Sequence, residues 1–244
     1  MEQAVSEDRL MDGRVRLLQP VDGYRAAIDP VFLAACVQAT AGERVLDAGC
    51  GAGAATLCLA VRSPDCRITG LELDPAAFDL AKRNIVLNAM ETRVELILGN
   101  IASPPPRLAP GSFNHVMTNP PYLSGGTRPA DAGRAAAHVE GEVGLDAWVR
   151  ACLAMLQPKG TLSLIHRADR LDALLAALRE RAGDIAVLPL WPMRDRPAKR
   201  VLVRARKGGA GPTSLLPGLV LHEPDGRYSE GAEAVLRAGQ ALDF

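Results

Sequence analysis

The sequence predicts an α/β fold with a mainly parallel sheet and an antiparallel last strand, and three observations carry that prediction. From residue 44 onward, short apolar runs alternate with longer Ala-, Leu- and Arg-rich stretches. The longer stretches have helical length, so each run-stretch-run unit reads as βαβ. The last interval, residues 191–199, holds Pro192 and Pro197 and is too short for a crossover helix. The two strands it joins must therefore pair antiparallel.

Taken in order, residues 9–28 hold alternating and turn-like material, Arg14-Val15-Arg16-Leu17-Leu18 and then Gln19-Pro20-Val21-Asp22-Gly23. Asp29-Pro30 predicts a helix start, with Asp as N-cap and Pro at the first helical position before Val31-Phe32-Leu33. Strands are predicted at 44–48, 67–73, 94–98, 113–118, 160–166, 185–190 and 200–205, which makes seven. Helices fall at 53–62, 75–89, 145–156 and 169–182. Pro104, Pro105, Pro106 and Pro110 mark a surface loop, and the Gly- and Ala-rich stretch 123–143 follows a strand end, where active-site loops belong. Gly208-Gly209-Ala210-Gly211-Pro212 reads as a linker. The expected organisation is an N-terminal segment 1–40 with a helix closing the ligand site, a core domain 41–207 and an appendage 208–244.

Composition excludes several classes. With 48% hydrophobic and 23% charged residues over 244 positions, the chain can bury a core without staples. Its longest apolar run, Val31 to Val37, is far short of the roughly 20 residues that span a bilayer. The acidic start, Met1-Glu2-Gln3-Ala4-Val5-Ser6-Glu7-Asp8, has no export-signal pattern, and a cytoplasmic location is expected. Five cysteines without C-x-x-C spacing argue against a disulfide framework, and no His/Cys/Asp/Glu set has metal-ligand spacing. The 28 basic and 28 acidic residues cancel, yet Arg194, Arg196, Lys199, Arg200, Arg204, Arg206 and Lys207 oppose Asp195 alone. That strip could follow a phosphate backbone or simply solvate a strand face. In particular, Arg200, Arg204 and Arg206 alternate with apolar residues and should share one face.

Two constellations carry chemistry. Val45-Leu46-Asp47-Ala48-Gly49-Cys50-Gly51-Ala52-Gly53 runs from a strand into a helix, and its glycines allow a tight turn with bare backbone beside a ligand. A dinucleotide would also suit Gly49-x-Gly51-x-x-Ala54. Asp47 before the turn could hold a cationic amino-acid group, and Glu72 at the next strand end could accept from both ribose hydroxyls of a nucleoside. A nucleoside without pyrophosphate, S-adenosylmethionine (SAM), fits this set best. Asp74 before Pro75 reads instead as a helix N-cap.

The second constellation is Asn119-Pro120-Pro121-Tyr122, just past the fourth predicted strand. Consecutive prolines fix the backbone and expose its carbonyls. The Asn119 side-chain carbonyl and the Pro120 main-chain carbonyl could take both hydrogens of a planar NH₂ group. Tyr122 offers a face on which a base can stack. Ligands of open α/β sheets lie beyond the carboxyl ends of the strands, so the two constellations should meet there.

Together, Asp47-x-Gly49-x-Gly51-x-Gly53, Glu72 and Asn119-Pro-Pro-Tyr122 resemble the class I SAM-dependent amino-methyltransferases. The finer pattern is similar to the bacterial tRNA adenine-N6 methyltransferases that act on valine tRNA. It includes Gln19-Pro20, Gly23-Tyr24-Arg25, Asp29, Leu164-Ile165-His166-Arg167 with Arg170-Leu171, and Pro197-Ala198-Lys199-Arg200-Val201-Leu202-Val203. The resemblance spans residues 8–207 and implies a Rossmann-like seven-stranded sheet with SAM as cofactor and RNA as substrate. Asp47 and Gly49, Gly51 and Gly53 would hold the methionine part of SAM and Glu72 its ribose, with Tyr24, Arg25 and Asp29 close to the methionine end. Asn100 stands where such enzymes usually have Asp, and its oxygen could still accept from the cofactor's adenine amine. Asn119 would border both cofactor and acceptor. Read from the residues alone, Arg134 and His138 on the 123–143 loop could touch substrate phosphates or solvate the loop, Arg167 at a strand end could line the substrate channel or serve the fold, and the arginines at 200, 204 and 206 are the candidates for a phosphate backbone. A protein glutamine amide would suit the same acceptor site, and a non-catalytic SAM scaffold or a nicotinamide-dependent protein remains a further reading.

Overall fold

The computed structural model of the chain describes residues 4–22, 25–121 and 144–244. An N-terminal hairpin, β1 (Val5–Leu10) and β2 (Val15–Pro20), precedes helix α1 (Asp29–Cys36). Strands β3 (Arg44–Ala48), β4 (Arg67–Glu72), β5 (Val94–Leu98), β6 (Phe113–Thr118) and β7 (Leu156–Arg167) then run parallel in the order β5-β4-β3-β6-β7. β9 (Arg200–Lys207) lies antiparallel between β7 and β8 (Ala182–Trp191), as the short proline-bearing connection predicts.

Both faces of the sheet are covered. Helices α1, α2 (Ala54–Arg62) and α3 (Pro75–Leu87) share one apolar core, while α4 (Leu145–Met155) and α5 (Leu171–Leu178) share the other. A central parallel strand must then be apolar on both sides. In β3, Val45 faces the first core and Leu46 and Ala48 the second. Asp74 caps α3 as expected, accepting from the Ala76 amide at 3.0 Å, with Pro75 at the first helical position. α1 differs by one residue. Ile28 is the N-cap and Asp29 is already helical, with its carboxylate accepting from Arg200 Nε at 2.8 Å.

Among the described residues the sheet has nine strands rather than seven. β10 (Ser214–Leu215) and β11 (Leu219–Val220) pair parallel with β8, and two-residue strands leave no periodicity in a sequence. The tail continues into α6 (Glu230–Leu236), and the Leu242 amide donates to Ala35 O at 2.9 Å. One apolar core consequently runs from Met11 to Leu242, shared by the hairpin, α1, α2 and the tail. The hairpin is fastened by two α3 amides one turn apart. Asn84 accepts from Leu18 N at 2.7 Å and donates to Leu18 O and to Ala52 O, both at 2.9 Å. Asn88 accepts from Arg16 N at 2.9 Å and donates to Arg16 O at 2.7 Å. These side chains give the outer edge of β2 the bonds a neighbouring strand would supply. No helix among the described residues is long and apolar enough to cross a membrane.

Candidate active site

The carboxyl ends of β4, β3 and β6 lie side by side, with Ala48 paired to Leu71 on one side and Thr118 on the other. Beyond β3 the chain turns through Gly49, Gly51 and Gly53 at φ of 75°, 56° and 87°, a region that side chains with Cβ adopt at a cost. Gly53 occupies the N-cap of α2. A Cβ on Gly49 would also stand 3.1 Å from the Trp148 ring.

Two buried carboxylates lie under this turn. Asp47 is 2% exposed and accepts from Thr56 Oγ1 at 2.6 Å. Burial, reinforced by the charge of Glu72, pushes its carboxyl up to about 7, although the Thr56 hydroxyl opposes the shift. Glu72 is 3% exposed. Its Oε2 accepts from the Gly51 amide at 2.7 Å, and its Oε1 accepts from Leu73 N and Asp74 N, each at 2.8 Å. Burial raises this carboxyl as well, against the pull of those three amides. Neither carboxylate forms an ion pair among the described residues. A buried acidic pair beneath bare backbone suits a cationic amino-acid ligand with a nucleoside, so these residues fit SAM. Glu72 has less capacity than the sequence suggests. A carboxylate accepts about four hydrogen bonds, three are used, and one ribose hydroxyl can take the remainder.

The acceptor motif is held against the same turn. Thr118 Oγ1 donates to Ala48 O at 2.7 Å and accepts from Trp148 Nε1 at 3.0 Å. That relay places Asn119 and Pro120, the residues that follow β6, beside the glycine turn. Trp148, 6% exposed on α4, is a positioning residue that sequence reasoning missed. A single Trp in an amphipathic helix reads only as core.

Other expected residues are placed differently. Asn100 Oδ1 accepts from the Ala102 amide at 2.8 Å, so one of its two lone pairs serves the loop after β5. Arg25 donates to Ser6 Oγ and Pro20 O, both at 2.7 Å, and pairs with Asp8, which ties it to the hairpin. Arg167 pairs with Asp169. Tyr24, Tyr122, Arg134 and His138 lie outside the described residues. His166, buried at the end of β7, accepts from the Arg167 amide at 2.7 Å through Nδ1. Burial, then Arg170 and Arg167, push its imidazole down to about 4, so it is neutral near pH 7. His115 sits at the far end of the sheet, 3.1 Å from Glu43.

The arginine strip needs correction. Arg200, Arg204 and Arg206 do share a face, but β9 is an interior strand and each guanidinium has an internal partner. Arg200 pairs with Asp29, and Arg204 donates to Phe244 O at 2.7 Å with its guanidinium 5.0 Å from the Phe244 ring centroid. Arg206 lies 3.5 Å from Asp184. On the face expected to follow phosphates, the tail covers Arg204, while Arg206 stays exposed.

Comparison with known proteins agrees with this geometry. The chain matches the methyltransferase small domain family over residues 27–169. It is 31% identical to a tRNA1(Val) (adenine(37)-N6)-methyltransferase of Aeromonas hydrophila, over 86% of this chain and 89% of the relative. Among solved structures, a predicted O-methyltransferase from Agrobacterium tumefaciens matches with a TM-score of 0.74 at 26% identity, covering 88% of this chain and 98% of that one. M. jannaschii TYW2, solved with AdoMet, shares the fold with a TM-score of 0.56 at 17% identity, over 84% and 85% of the two chains. With SAM as its cofactor and an Asn-Pro-Pro motif beside the glycine turn, the chain belongs to the methyltransferase small domain family and is a class I SAM-dependent N-methyltransferase.

Proposed function

We propose that the protein methylates the exocyclic N6 amine of an adenine in tRNA, with adenine 37 of a valine tRNA as its target. The observation that carries this reading is the Thr118–Ala48 bond of 2.7 Å, which sets Asn119-Pro120 against the glycine turn and its buried carboxylates. The base and position come from the Aeromonas relative, whose name specifies them. A tRNA substrate supports a cytoplasmic location for the reaction.

Bound SAM supplies a methyl group made electrophilic by a sulfonium. The chain's own part is positioning and hydrogen bonding. Asp47 would take the ammonium end of the cofactor and Glu72 one ribose hydroxyl. Asn119 Oδ1 and Pro120 O each accept one hydrogen of the adenine amine. Pulling on both hydrogens drives the nitrogen from planar toward tetrahedral geometry, so its lone pair localises and can attack the methyl group. No side-chain base is required, because the alkylated nitrogen is acidic and releases its proton once methylated. An anticodon-loop adenine is unstacked at lower cost than one in a duplex, so Tyr122 can receive it as a stacking platform. Labelled SAM offered with tRNA and protein fractions together should deposit its methyl on tRNA; label confined to protein would favour the glutamine acceptor.

The raised carboxyl of Asp47 gives a pH signature. To hold an ammonium it must lose its proton, so SAM affinity should weaken by about tenfold per pH unit as pH falls below about 7. Calorimetry from pH 5.5 to 7.5 reads this slope, and Asp47→Asn should bind weakly with the slope gone. Stability of the free protein moves the other way. Its folded state keeps a proton that the unfolded chain loses near 3.8, so Asp47 contributes less stability as pH rises from there toward about 7.

A further inference from the structure

The seven cations of the late basic segment divide into two groups. Arg200, Arg204 and Lys207 are held within the fold, Lys207 Nζ donating to Leu156 O at 2.6 Å, and Arg206, though exposed, pairs with Asp184 at 3.5 Å. Arg194, Arg196 and Lys199, on the β8–β9 connection, are exposed and make no ion pair among the described residues.

Topology decides which end of the sheet the second group occupies. β9 is antiparallel to both β7 and β8, so β8 runs parallel to β7 and the two end at the same edge. That edge carries Asn119 and the glycine turn. Arg206, opposite Thr161 midway along β7, lies farther from that edge. The connection is also held in place. Its Lys199 carbonyl accepts from Ala168 N just past β7 at 3.1 Å, and its Pro192 carbonyl accepts from His222 N of the tail at 3.1 Å. Pro192 and Pro197 stiffen it further. Arg170, exposed and likewise without an ion pair among the described residues, stands on the neighbouring turn. β8 is three strand spacings from β6, about 15 Å at 4.8 Å each, so a strand entering the site at Asn119 passes this loop within a few nucleotides.

We propose that the β8–β9 loop, through Arg194, Arg196 and Lys199, is the surface that grips the tRNA backbone next to the methylated base. The inference rests on the tRNA reading above and assigns its electrostatic part. Three cations on a braced loop suit phosphates, whose contacts are charge-driven and independent of sequence. Burial pushes the His166 imidazole down, and the charges of Arg170 and Arg167 on this edge add to the shift. An acidic protein surface is the competing partner.

The test uses the full-length protein with every pair of Arg194, Arg196 and Lys199 changed to Gln, and the triple variant. Binding of unmodified valine tRNA transcript is measured across salt concentrations. The triple variant should bind on the order of tenfold more weakly, and its salt slope should fall by about one unit per lost contact. SAM affinity and melting temperature should match the wild type, since the side chains are exposed. Methylation should show raised KM for tRNA with kcat retained at saturation. Arg206→Gln should bind tRNA as the wild type does. Unchanged affinity and slope in the triple variant overturn the proposal, as does an equal loss in Arg206→Gln. A wild type that neither binds nor methylates tRNA overturns the tRNA reading itself, which separates the two failures.

Discussion

Asn119→Ala is expected to abolish methyl transfer while leaving SAM affinity within about twofold of the wild type. Asn119 supplies one of the two acceptors that draw the adenine amine into reactive geometry, so its removal falls on the chemical step. Losing one preorganised hydrogen-bonding group at a reacting centre costs about 3–4 kcal/mol, or two to three orders of magnitude in kcat. Asn119→Asp is a sharper variant. It keeps the shape and an acceptor but adds a charge next to the buried carboxylates Asp47 and Glu72. Single-turnover assays with tRNA and calorimetry with SAM separate the two effects. Near-normal turnover by Asn119→Ala would remove the acceptor mechanism.

Glu72→Gln should be almost as damaging, and through binding. Each Glu72 oxygen faces a backbone donor, with Gly51 N on one and Leu73 N and Asp74 N on the other. A glutamine must turn its NH₂ toward one of them, so at least one buried amide loses its acceptor at a cost of about 1–3 kcal/mol. If that amide is Gly51 N, the glycine turn loosens as well. We expect SAM affinity to drop by more than tenfold and the melting temperature to fall. Glu72→Ala, which removes all three acceptor bonds, should lose more of both. Wild-type SAM affinity in Glu72→Gln would mean that the strand-end carboxylate does not shape the cofactor site.

The central sheet was legible because βαβ periodicity is local, and strands β3 to β7 need apolar residues on both faces. The Asp74 cap and the antiparallel last pair were legible for the same reason, since Asp-Pro and a short Pro-bearing connection act within a few residues. Contacts made by the tail were not. Arg204 reads as a surface cation until Phe244, forty residues on, covers it. Asp29 reads as a cap until Arg200, 171 residues away, takes its carboxylate. At the site, the glycine turn and Asn119 could be read from residue type and order. Trp148 could not, because its role depends on Gly49 and Thr118, which no spacing links to it. Asn84 and Asn88 are similar, since two polar residues on a helix give no hint that they complete the edge of a strand.

The central claim, N6 methylation of adenine 37, is tested most directly with two transcripts of valine tRNA that differ only in adenine or guanine at that position. Each is incubated with the protein and SAM, digested to nucleosides and analysed by mass spectrometry. The adenine transcript should yield N6-methyladenosine approaching one per tRNA, and the guanine transcript none. Equal methylation of both, or methyl groups on another base or on protein glutamine alone, would contradict the account.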